Sequence, residues 1–92
     1  MIRSFKHKGL RRLFEEDDRK LIRPDLTTRV ATLLALLDAA IAIEDLATPS
    51  LRLHALKGDL KGLWAITVRA NWRIVFAFED GDASDVDLVD YH

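Results

Sequence analysis

His54, Lys57, Lys61, Arg69, Arg73, Asp90, Tyr91 and His92 are polar residues that the surrounding apolar pattern leaves without a core role. Imidazole moves protons near neutral pH. Lysine and arginine suit a phosphate whose negative charge grows in a transition state. A tyrosine ring stacks on a nucleobase. Together these are the parts of a ribonuclease that needs no metal. Each part also has an ordinary role. A lone histidine is a structural or solvated group, arginine on an exposed strand is soluble surface, and terminal residues fray. His54 and His92 with a nearby acid suggest zinc, but the chain has no ligand spacing such as H-x-x-x-H. Glu15, Glu16, Asp17 and Asp18 resemble a metal cluster only in one dimension. On a helix they point in different directions, so they read as a solvated face.

The stretch that must position these groups is Leu63 to Phe78, LWAITVRANWRIVFAF. Trp64, Ile66 and Val68 alternate with Ala65, Thr67 and Arg69. Ile74, Phe76 and Phe78 alternate with Arg73, Val75 and Ala77. This period of two predicts a pair of half-buried strands. Ala70-Asn71 is the expected turn, with Asn71 taking the positive φ. One face of the hairpin is apolar and needs a cover. The other carries Arg69 and Arg73, and is where recognition or chemistry is expected. Leu26, Val30, Leu33, Leu34 and Leu37 fall on one helical stripe that can supply the cover, running from an N-cap at Asp25 to about Ala40. Leu10, Leu13 and Phe14 predict an earlier amphipathic helix, from near Gly9 to Lys20 or Ile22. Ile2 to Phe5 and Leu51 to Leu56 read as further strands. Lys57 to Gly62 reads as a loop. Glu79-Asp80-Gly81-Asp82 reads as a hairpin turn leading into a last strand through Val86 and Leu88. The order β-α-α-β-β-β-β predicts an α+β fold, two helices on one face of a mainly antiparallel sheet.

Ninety-two residues make one small domain, able to bury roughly 60–65% of its unfolded surface. No cysteine is present, which excludes a disulfide framework and a thiolate zinc site. No apolar run is long enough to span a bilayer, and the N-terminus lacks the apolar core of a signal peptide. A cytoplasmic protein without membrane contact is expected. The net charge of −1 hides segregation. Residues 1–12 and 51–73 hold five bases each, whereas residues 74–92 hold six acids and no base. The two basic blocks can meet in the fold as a phosphate-binding patch, or remain ordinary solvated charge.

The composite HxLKGDxxGxWxIxVxxNWRIxFxFxDGDAxxxxxxDYH, His54 through His92, resembles the HigB family within the RelE/ParE superfamily of toxin–antitoxin toxins. IRSFKHKGLRRLFE, Ile2 to Glu15, resembles that family's N-terminus. The resemblance covers nearly the whole chain and implies a RelE-like fold, two helices against a curved antiparallel sheet. It also implies a ribosome-dependent endonuclease that cuts mRNA in the A site with no cofactor. Carried over residue by residue, it places His54, Asp90, Tyr91 and His92 in the active site. Lys57 and Arg73 are implied to contact the phosphate or the RNA, and Lys61 and Arg69 are expected to bind RNA or phosphate with them. The implied reaction is attack by a ribose 2′-hydroxyl on the adjacent phosphorus. His92 would serve as acid or base, with His54 or Asp90 as its counterpart, and Tyr91 would orient the nucleotide. The implied partner is a helix-turn-helix antitoxin of HigA type, through which alone the chain would meet operator DNA. Two rival readings share the fold: a non-catalytic toxin of the gyrase-inhibiting type, and a weak or vestigial toxin acting mainly as co-repressor. Asp82 to Val89 carries acids where many relatives have an aromatic and aliphatic strand, and acid beside a cleft for RNA opposes binding.

Overall fold

A computed structural model of the chain describes residues 1–90. The leucine stripe forms a helix, α2 (Pro24–Ala39), and Leu26, Val30, Leu33, Leu34 and Leu37 are all buried. Its start differs from expectation. Pro24 takes the first helical position, where a missing N–H costs nothing and the fixed φ is already helical. Arg23 is therefore the cap residue, and Asp25 lies inside the first turn.

The earlier helix, α1 (Lys8–Glu16), is capped by His7, whose Nδ1 accepts from the Leu10 N–H at 3.2 Å. It stops short of Lys20 because Asp17 turns left-handed at φ 53°, and the N–H groups of Asp17 and Asp18 donate back to Leu13 and Arg12. This closes the last carbonyls of the helix. Asp18 then ties the exit together. It accepts from the Lys20 N–H at 3.1 Å and from Arg12 Nη1 at 3.3 Å. The Lys20 N–H, with Arg12 adding to it and burial opposing, holds the Asp18 carboxyl below its ordinary value.

Four strands form one antiparallel sheet in chain order: β1 (His54–Ala55), β2 (Leu63–Arg69), β3 (Trp72–Glu79) and β4 (Asp82–Asp90). With the two helices on one side, this is the expected α+β architecture. Two expected strands are reduced. Leu51 to Leu56 keeps only β1, because Pro49–Leu51 is a 3₁₀ turn and Arg52 is left-handed at φ 49°. Ile2 to Phe5 makes only isolated parallel bridges, Ile2 to Ala83 and Phe5 to Val86. Between them β4 has a bulge at Asp85 (φ 53°), whose N–H donates to Ser4 Oγ.

The β2–β3 turn forms where expected, but Ala70 takes the positive φ (50°) and Asn71 does not. In the β3–β4 turn Asp80 and Gly81 both have positive φ, as a two-residue hairpin loop with matching twist requires. The main core lies between the helices and the face bearing Ile66, Val68, Ile74 and Phe76. The opposite face is not bare. Leu56, Ala65 and Val75 form a second small cluster there, with Leu63 and Val89 packed on it.

Candidate active site

Strand register decides which polar groups share this second face. His54 lies opposite Ala65, Ala65 opposite Val75, and Val75 opposite Asp87. The neighbouring row is Thr67, Arg73 and Val89. Directly paired residues point to the same side of a sheet, so His54, Arg73 and Asp87 belong to one face. With strands about 4.8 Å apart and about 3.3 Å per residue along a strand, the Cα atoms of His54 and Arg73 stand about 12 Å apart.

His54 is exposed at the sheet's edge, and its Nδ1 lies 3.0 Å from the carbonyl oxygen of Arg52. A carbonyl only accepts, so the neutral ring carries its proton on Nδ1 and its lone pair on Nε2. Lys57 and Lys61 flank the 3₁₀ turn Gly58–Leu60, and both are exposed. Arg73 folds back on the hairpin, with Nη1 donating to the carbonyls of Ala70 and Trp72. A guanidinium has five donors, so this anchors it without exhausting it.

Arg69 is not beside Arg73, contrary to expectation. A bulge between Thr67 and Arg69 inserts one extra residue into β2, so Arg69 lies opposite Trp72 instead of continuing the row of Leu63, Ala65 and Thr67. Its Nη1 is 3.9 Å from Asp25 Oδ2 at the start of α2. Asp90 ends β4 opposite Trp72. Tyr91 and His92, expected in the site, lie outside the described residues.

The second face holds an open cleft of about 660 Å³ lined by Lys6, Leu60, Leu63, Val75, Asp85, Asp87, Val89 and Asp90. Its floor is apolar and its rim is mainly acidic. Asp85 and Asp87, outside the expected site set, thus belong to the cleft. The signal was present in the sequence as two acids standing two residues apart, a spacing that in a regular strand falls on one side. Lys6 was not legible, because only the bridge between Phe5 and Val86 brings it there.

A model of the RelE-like toxin of the type II toxin–antitoxin system HigB matches residues 3–92. The chain belongs to the HigB family. Endoribonuclease HigB of Proteus vulgaris is 47% identical over 92 residues, covering all of both chains. Toxin HigB-1 of Vibrio cholerae serotype O1 is 38% identical over 85 residues, 90% of each chain. Membership of the HigB family makes this a type II toxin and implies an antitoxin partner. All of the chain aligns with the Proteus protein, including the stretch Asp90, Tyr91 and His92. Among the described residues, no helix of this HigB-family chain is long and apolar enough to cross a membrane.

Proposed function

We propose that this HigB-family toxin is an endoribonuclease that cleaves translated mRNA in the ribosomal A site. The observation that carries the reading is end-to-end identity of 47% with a protein named Endoribonuclease HigB. The shared face of His54 and Arg73 supports it. The nucleophile is the RNA's own 2′-hydroxyl, so the reaction needs a proton acceptor, a proton donor and positive charge at the phosphate, and no metal. The 2′-oxygen bonds to phosphorus as the bond to the 5′-oxygen breaks, leaving a 2′,3′-cyclic phosphate and a 5′-hydroxyl. His92 acts as acid or base, with His54 or Asp90 as its counterpart. Nε2 of neutral His54 holds the lone pair such a role requires. Lys57 and Arg73 stabilise the phosphorane, Lys61 lies along the RNA path, and Tyr91 orients or stacks the nucleotide.

The antitoxin is a helix-turn-helix protein of HigA type, which brings the toxin to operator DNA, and the complex works in the cytoplasm. The acidic rim of the cleft favours a modest affinity for RNA and hence a weak toxin. Mapping of 5′ ends in bacteria induced for this protein alone tests the proposal, with His92→Gln at equal level as control. New 5′-hydroxyl ends inside translated frames, absent with the variant, are expected. Growth arrest without new ends would sink the nuclease reading.

A further inference from the structure

The cleft sets a problem for RNA. Its lining holds Lys6 against Asp85 and Asp87, so a phosphate backbone gains nothing by lying in it. The apolar floor suits the face of a base instead. Lys57 and Arg73 are assigned to the scissile phosphate, so charge that grips the flanking backbone must lie elsewhere.

The other side of the β2–β3 hairpin supplies it. Arg23, the cap residue of α2, sends its guanidinium over the Trp72 ring, 5.6 Å from the centroid. The same guanidinium meets Asp25 through Nε at 3.1 Å and Nη2 at 2.8 Å. Arg69, turned to this side by the bulge, reaches the same carboxylate at 3.9 Å. Two guanidiniums thus share one carboxylate, and both arginine side chains are more than half exposed. Arg73 holds the base of the same turn from the opposite face, through the carbonyls of Ala70 and Trp72. Cations therefore flank the hairpin tip on both faces.

A planar guanidinium on an aromatic ring keeps its edge N–H groups pointed outward, in the geometry that takes a phosphate. Asp25 holds the two guanidiniums together and also competes with a phosphate for them. As a purely structural device the cluster offers little, because exposed ion pairs contribute about 0–1 kcal/mol.

We propose that Arg23 and Arg69, arranged around Trp72 and Asp25 at the hairpin tip, form a second RNA-contacting surface that binds the phosphate backbone outside the cleft. This rests on the reading that the substrate is RNA. In this arrangement the cleft takes a base and the hairpin tip takes the flanking backbone.

The test measures binding of the purified chain to a fluorescent 2′-O-methyl RNA hairpin, which lacks the 2′-hydroxyl and cannot be cut, as a function of salt. Each lost phosphate contact lowers the slope of log K against log salt by about 0.7–0.9, which is about five- to eight-fold in affinity at 0.1 M salt. Arg23→Ala and Arg69→Ala are each expected to do this. Asp25→Asn is expected to do the reverse, with tighter binding and a steeper slope, a gain that a misfolded variant cannot imitate. Unchanged slopes in both arginine variants, weaker binding by Asp25→Asn, or no binding by the parent chain would each overturn the proposal. The nuclease reading fails separately. New 5′ ends in cells with flat responses here would remove this surface and leave the nuclease. The expected salt responses without new ends would remove the nuclease and leave the surface.

Discussion

Gly81→Ala tests how closely the β3–β4 turn is pressed against the segment that follows α2. Gly81 has φ +81°, and a Cβ there would stand 3.2 Å from the backbone oxygen of Ile41. Two costs combine. Left-handed backbone costs an L-residue about 1–2 kcal/mol, offset by about 0.4–1 kcal/mol because alanine restricts the unfolded chain. The close contact adds about 1 kcal/mol, the low end for overpacking. Ile41 cannot retreat freely, since its N–H donates to Asp45 Oδ2 at 2.9 Å and the next N–H, of Ala42, donates to the same oxygen at 3.1 Å. The expected loss is about 1.5–2 kcal/mol, a fall in Tm of roughly 6–16 °C for a domain of this size. Gly58→Ala is the control. Its φ is +65°, but nothing lies within 4 Å of the new Cβ, so only the backbone cost remains, about 0.5–1 kcal/mol. Urea unfolding followed by tryptophan fluorescence gives both values, provided the slope with denaturant is unchanged. Equal losses at the two positions would refute the idea that the Ile41 carbonyl limits the turn, and a fully stable Gly81→Ala would refute both halves of the reasoning.

Asp87→Asn removes one charge from the cleft rim and should tighten RNA binding. For a phosphate about 7 Å away in water the repulsion removed is about 0.6 kcal/mol, or about three-fold, and shrinking with salt. A salt titration in which the variant is no tighter than the parent at low salt would contradict it. Asp18 and Asp45 should shape the acid limb of stability. Backbone N–H groups, of Lys20 for Asp18 and of Ile41 and Ala42 for Asp45, lower both carboxyls in the folded chain. Their stabilisation is present above the ordinary carboxylate value and is lost as pH falls through the lowered folded value. Asp45→Asn should therefore flatten the fall in stability below about pH 4, and urea midpoints at neutral and acid pH that drop as steeply as in the parent would count against it.

The elements that sequence periodicity could reach are those whose signal is local. The leucine stripe of α2 and the alternation of β2 and β3 each need one buried side, and each folds as its period demands. What escaped was decided by single backbone positions. Asp17 ends α1 early by turning left-handed, an option its short side chain tolerates but does not announce. The bulge beyond Thr67 moved Arg69 across the sheet, since one inserted residue shifts everything after it to the other side. Ala70 rather than Asn71 took the positive φ, against intrinsic preference, because strand pairing on both sides fixes the turn. In the site, His54 and Arg73 were legible as polar interruptions of apolar strands. Their common face follows only from register, which the sequence does not print. Arg23 was hidden as the residue before a proline, and its place over Trp72 depends on how α2 crosses the hairpin.

The first residues of the chain are joined to the last strand. The Met1 ammonium donates to the carbonyl of Gly81 at 2.8 Å, and the backbones of Arg3 and Lys6 donate to Ala83 and Val86. During synthesis these residues wait, without their partners, until some eighty further residues up to Val86 have been made. At about 5–20 residues per second that delay is roughly 4–17 s. Closing so long a loop is slow as well as late. The wall of the cleft formed by β4, and Lys6 beside it, can therefore come together only after β4 itself has been made.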